Sequence, residues 1–287
     1  VASRSTASGA RSQQNFMSHR GYLYFKIALG LCLLAVIAYF ASDPTPVANG
    51  GTVVGYTLGT ISLLIIIWLS FLGVRKRLMT GGQWSLRGWT SAHVYLGLSL
   101  IILATLHTGF QFGWNIHTLA YVLMMLVILS GAWGLYAYLS LPIKMAQNRD
   151  SMTEQEMLVE LDALDKNLRK AALPLRKEWV DIVEMTIRNS KIGGSILSRF
   201  RRDPASCGTA RGLVAFKAIQ TSLSDKDVDL VADVVAILER KKAILYRIRS
   251  HIRYRALLEV WLSIHIPVTF ALILALVAHV FSVFYYW

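Results

Sequence analysis

Cysteine, proline and charge are all scarce in this chain of 287 residues. Its two cysteines, Cys32 and Cys207, belong to no C-x-x-C or C-x-x-C-H pattern. That excludes a covalently attached c-type haem, a cysteine-ligated iron–sulfur cluster and a thioredoxin-like dithiol within the chain. A disulfide between them is not expected either, because Cys207 falls in a segment assigned below to the reducing cytosol. Only 16% of the residues are charged and 54% are hydrophobic, whereas about a quarter of an average soluble domain is charged. Of the six prolines only Pro267 falls within one of the long apolar runs, and Glu259 is the one acid within any of them. This composition excludes an ordinary soluble domain and points to an integral membrane protein.

A helix that crosses the hydrocarbon core needs about 20 predominantly apolar residues. Five segments satisfy this, at 21–41, 53–74, 88–112, 117–140 and 257–287. None is expected to be a cleavable signal peptide, since the first follows a Ser/Arg/Gln-rich leader, read as a short flexible tail, and no small-residue cleavage motif precedes a mature domain. Lys and Arg are retained on the cytoplasmic side of a membrane. Of the 30 here, four lie in residues 1–26, four between Arg75 and Arg87, and the remaining 22 in residues 144–255, while the other two connections hold none. The expected architecture is an all-α membrane protein: a cytoplasmic tail (1–20), four transmembrane helices (21–144), a cytoplasmic helical insertion (145–255) and a fifth span (256–287). A bacterial-type inner membrane is the expected location, with the C-terminus periplasmic. The net charge of +13 is sorted by loop, so it reflects orientation and not a nucleic-acid partner.

Pro142 and the first charges after it mark the exit of the fourth span into water. In the insertion, Met157, Leu161, Leu164 and Leu168 recur at helical steps, which predicts an amphipathic helix. Pro174 is expected to open a second helix at a first-turn position. The stretch "GGSILSRFRRDPASCGTARG" reads as a loop, and the chain beyond Ser224 reads as a helix that continues towards the last span. Its basic end, Arg247 to Arg255, is suited to anionic lipid head groups. No phosphate-binding loop, dinucleotide fingerprint or metal-ligand cluster is present in the insertion.

Of the seven histidines, four fall inside hydrocarbon: His93, His107, His265 and His279. Ionisable groups at that depth are costly and face the bundle interior with a partner. The third span carries "HVYLGLSLIILATLH" and the last carries "HIPVTFALILALVAH", so both repeat one interval of fourteen positions. Fourteen steps at ~100° make four turns less about 40° and cover about 21 Å, which puts the two imidazoles of each helix on nearly one face at two depths. The two spans run parallel, so His93 is expected level with His265, and His107 with His279.

Two imidazoles facing each other suit the axial positions of a six-coordinate haem iron, whose porphyrin supplies the equatorial ligands. Zinc would need further protein ligands at those depths, and the sequence offers none. Two haem b groups are the expected cofactors, the inner one on His93 and His265 and the outer one on His107 and His279. Gly97 and Ala104 on the third span, Ala271, Ala275 and Ala278 on the last, and Gly131 and Gly134 on the fourth are candidates for making flat room, although small residues in such helices also serve plain packing. Arg87, with Arg253 or Arg255, is a candidate partner for propionates of the inner haem, or an anchor at the interface. Ser263 and Thr108 are candidates to support the ligands, unless they bond their own backbone. Glu259 could serve quinone protonation or simply reach water. For His117 three readings stand open: a replacement outer ligand, a quinone contact, or a place in the aromatic belt with Phe110, Phe112 and Trp114.

The two histidine-bounded segments, on the third and fifth spans, resemble those of the bis-haem b membrane cytochromes, among them the cytochrome b core of quinol oxidoreductases and the transmembrane domain of ferric reductases and NADPH oxidases. The likeness covers about 53–140 and 257–287. It implies a four-helix haem bundle with the four histidines as axial ligands. Ferric reductases and NADPH oxidases append a flavin and nicotinamide domain after the last span, whereas this chain ends at "FSVFYYW" and inserts about 110 residues between the fourth and fifth spans. The expected function is a dihaem cytochrome b subunit that transfers electrons across the membrane within a larger redox complex, with a quinone or a protein carrier such as a cytochrome as exchange partner. Two alternatives stand beside it: a self-contained transmembrane reductase of an external metal ion or small oxidant, and a haem-free scaffold or proton-conducting subunit.

Overall fold

The computed structural model of the chain describes residues 16–42, 47–78, 85–149, 152–190, 192, 207–221 and 227–285. Residues 1–15 of the expected tail, and most of the expected loop after Lys191, lie outside them. The described residues form helices only: α1 (Leu23–Ala41), α2 (Val53–Ser70), α3 (Leu72–Leu78), α4 (Leu86–Thr108), α5 (Ile116–Arg149), α6 (Glu154–Ala172), α7 (Lys177–Arg188), α8 (Gly208–Gln220) and α9 (Val228–Tyr285). Five stretches are long and apolar enough to cross a membrane: α1, Val53–Lys76, α4, Ile116–Leu141 within α5, and part of α9. Large apolar side chains such as Leu34, Ile37 and Phe40 on α1 and Phe270, Leu274 and Phe281 on α9 are exposed, the placement expected of a surface that meets lipid.

The chain divides into two compact units. The first comprises residues 1–139 and 261–287. There α4 packs along α1 and α2 and is the most enclosed of the spans. Its start is fixed by Ser85, whose hydroxyl accepts the Gly88 N–H at 3.1 Å. Its end is fixed by Gly109, at φ 58°, where an added Cβ would come within 2.1 Å of the Ala48 carbonyl oxygen. Only glycine fits that turn. A core of Ile66 and Leu69 (α2), Leu100 and Ala104 (α4), Met124 (α5) and Leu272 (α9) fills the middle of the unit. Leu100 and Leu272, each 2% exposed, are the midpoints of the two histidine intervals, so α4 and α9 lie level.

The second unit, residues 140–260, has a core of its own. Leu168 and Ala172 on α6, Val183 on α7, Phe216 on α8 and Val231, Val234 and Leu238 on α9 form one part of it, and Met157, Leu161, Leu164, Cys207, Ile244, Leu245 and Ile248 form the other. Thr153 and Glu156 close a capping box at the start of α6. Lys241, fully buried on α9, is ion-paired with Asp165 of α6. The amphipathic helix lies where its apolar spacing places it. Pro174 does not open the second helix: it sits in the turn before Lys177, because Leu175 points inward and the helical hydrogen bonds resume only after it. The expected loop gives way to α8 from Gly208 onward. Helix α9 runs unbroken from Val228 to Tyr285 through Pro267, and α5 runs past Pro142 to Arg149. A proline removes one N–H donor from such a helix without ending it.

Candidate functional site

The four intramembrane imidazoles gather in two pairs. At one level, the one expected to be the outer, the ring centroids of His107 and His279 lie 6.1 Å apart with planes at 80°. At the other level His93 of α4 and His265 of α9 take the corresponding places. All four are half-buried.

The rings are oriented by the helices behind them. His93 Nδ1 lies 3.3 Å from the Leu69 carbonyl oxygen and His107 Nδ1 lies 2.8 Å from that of Gly55. Both acceptors belong to α2, fourteen positions apart, and α2 is antiparallel to α4, so it repeats the histidine interval in reverse. A carbonyl oxygen only accepts, so in both rings Nδ1 carries the proton and Nε2 keeps its lone pair. On the other side α5 performs the same task for α9. His265 Nδ1 lies 2.7 Å from Ser130 Oγ, whose own proton goes to the Val127 carbonyl at 2.9 Å, so this Nδ1 is again the donor. His279 Nδ1 meets Nδ1 of His117. Each hydrogen bond of this kind is worth about 0.5–1.5 kcal/mol, and the three made to an oxygen also select a tautomer.

Glycines give two of the rings their space. A Cβ on Gly59 would come within 2.6 Å of His107 Cε1, and one on Gly131 would stand 3.6 Å from His265 Cε1. Trp261, one turn before His265, donates its indole N–H to the Ser130 carbonyl at 2.9 Å and lies against Gly134. Ser130 thus holds His265 with its side chain and Trp261 with its backbone.

The other sequence candidates stand as follows. Gly97 faces α2, where an added Cβ would meet only Leu69 Cδ1 at 3.8 Å. Ala104 and Ala275 are buried, whereas Ala271 and Ala278 are exposed. Arg87 is exposed in the first turn of α4. Arg255 pairs with Glu259 at 2.9 Å, one helical turn apart, and Arg253 Nε is buried. Thr108 Oγ1 bonds the carbonyl of Thr105 at 2.8 Å, and Ser263 is exposed. Phe110 and Phe112 pair with Tyr39 and Tyr121, and Trp114 is fully exposed. His117 contacts His279.

Haem is compatible with this donor set on two grounds. Metal–imidazole bonds of about 2.0 Å, with roughly 1.1 Å from each nitrogen to its ring centre, put two axial rings about 6 Å apart, and the outer pair stands at 6.1 Å. Every histidine also keeps Nδ1 occupied, the support that metal-ligating imidazoles require. Among the described residues no group of three or more His, Cys, Asp or Glu is disposed to hold a metal ion. No protein-family model, curated protein or solved structure matches the chain.

Proposed function

We propose that the chain is a dihaem cytochrome b subunit of a membrane redox complex, with a quinone or protein carrier as its exchange partner and the insertion on the cytoplasmic side. The observation that carries this reading is the paired support of the imidazoles: two on α4 and two on α9, at two levels, with every Nδ1 turned to a neighbouring helix. In the membrane unit His93 and His265 would hold the inner haem, and His107 and His279 the outer one. Haem supplies one-electron chemistry when bound. The chain's own part is to orient the four rings, to keep each Nε2 free and to exclude water. Leu100, Met124 and Leu272 fill the space between the levels. The levels lie about 21 Å apart by helical rise.

A reduced-minus-oxidised spectrum of the purified chain, with a haem count, tests the proposal. The expected result is b-type bands at two haems per chain, with one haem lost in His93→Ala and the other in His107→Ala. A chain that binds no haem when haem is supplied during its synthesis overturns it in favour of a haem-free membrane subunit.

A further inference from the structure

Three of the four imidazoles hand their Nδ1 proton to an oxygen: Leu69 O, Gly55 O and Ser130 Oγ. The fourth does not. His279 Nδ1 meets the Nδ1 of a second imidazole, His117, with ring centroids 4.5 Å apart and planes at 87°. His117 occupies on α5 the place that Ser130 occupies thirteen positions later, one span-length from the other level. Hydrogen bonds close the turn around it. The turn that starts α5 is closed by Asn115 Oδ1, which accepts the Thr118 N–H at 3.0 Å, and by Thr118 Oγ1, which accepts the Gly113 N–H at 3.1 Å.

We infer that His117 is a positioning residue for the outer site: its Nδ1 accepts the Nδ1 proton of His279, fixes that ring with Nε2 towards His107, and makes His279 the strongest electron donor of the four ligands. This rests on the dihaem reading. An imidazole nitrogen is a better acceptor than a hydroxyl or a carbonyl oxygen, and a better acceptor behind a ligating histidine increases its basicity towards the metal. A more basic ligand stabilises the oxidised iron more than the reduced iron. The outer haem is therefore held at a lower potential than an oxygen acceptor would set, by a group that touches neither iron nor porphyrin. Once Nδ1 of His117 is committed as the acceptor, its proton resides on Nε2, on an exposed side chain at the outer end of the bundle. The same commitment leaves His117 unable to ligate the outer iron through Nδ1.

The test is an optical redox titration of the purified full chain with both haems resolved, comparing wild type with His117→Ala, His117→Gln and Ser130→Ala. The haem that His93→Ala leaves in place identifies the outer one. In His117→Ala both haems are expected to remain, and the outer midpoint to rise by a tenfold change in the reduced-to-oxidised ratio, 59 mV for one electron. The inner midpoint should stay in place. His117→Gln, which supplies an acceptor oxygen, should recover part of the shift and leave the outer midpoint above that of the wild type, and Ser130→Ala should move the inner midpoint alone. If His117→Ala loses the outer haem, retention in His117→Gln at a shifted potential still supports the assignment. Unchanged midpoints in His117→Ala overturn it, as does loss of the outer haem in both His117 variants with retention in His107→Ala, which would make His117 the ligand. A wild-type chain without haem fails earlier, at the dihaem reading itself.

Discussion

Gly59 shows how little tolerance the outer site has. His107 is held on one side by the Gly55 carbonyl and closed on another by Gly59, with 2.6 Å from an added Cβ to its Cε1. Gly59→Val should push the ring off that carbonyl, at an overpacking cost of about 1–3 kcal/mol, and, with haem bound as proposed, should lower the count from two per chain towards one. Gly97→Ala should leave the count unchanged, since its added carbon meets only Leu69 Cδ1 at 3.8 Å. A pyridine haemochrome assay of both variants separates these outcomes. The histidines themselves were legible in the sequence, because an imidazole in hydrocarbon is conspicuous and a helical period converts a spacing into a face. The acceptors at Leu69 and Gly55 were not. Every residue has a carbonyl, so only coordinates reveal which one a distant ring selects. Gly59 and Ser130 are visible as letters, but small residues are common in transmembrane helices and their neighbours are not encoded locally.

At the scale of helices, α6 to α8 show where polar interactions outside the membrane tie stability to pH. The backbone N–H of Thr153 holds the Glu156 carboxylate below its ordinary value of 4.5. Arg169 does the same for Glu184 and Lys217 for Glu239, each chiefly through a hydrogen bond to the carboxylate. A carboxyl whose pKa is depressed in the folded state stabilises it above the unfolded value and loses that contribution as pH falls through the folded value. These three are exposed and each contributes little. Together they should make α6 and α7 exchange backbone amide hydrogens faster relative to α4 once the pH drops below 4.5, with no such change between pH 6 and 8. Hydrogen exchange followed by mass spectrometry reads this peptide by peptide, after correction for the intrinsic rate at each pH. Helix α6 was legible because its apolar residues recur every three or four positions and a Thr and Glu bracket its first turn. The start of α7 was misjudged from Pro174, since a proline suits both a first helical turn and the turn before it, and the inward set of Leu175 decided between them.

For the whole molecule, the distribution of basic residues makes a claim about sidedness that labelling can check. Trp114, fully exposed between α4 and α5, is proposed to face the outside, and the insertion the cytoplasm. In sealed right-side-out vesicles of a Cys32→Ser, Cys207→Ser background, Trp114→Cys should react with an impermeant maleimide, whereas Val159→Cys, exposed on α6, should react only after the membrane is opened. The reverse pattern would invert the orientation. The number of spans and the place of the insertion were readable from composition alone, since hydrocarbon thickness fixes helix length. The continuity of α9 through Pro267 is a matter of helix energetics that composition does not settle. The two walls of the bundle also differ in what heredity can alter. Behind α4 the anchors are main-chain oxygens: that of Leu69 does not depend on its side chain, whereas Gly55 admits none, since an added Cβ would come within 2.3 Å of the Asn49 carbonyl oxygen; behind α9 the anchors are the side chains of Ser130 and His117, which a single nucleotide change can remove. Substitutions that remove an anchoring side chain should therefore fall on α5, whereas on α2 they act through the space that Gly55 and Gly59 keep open.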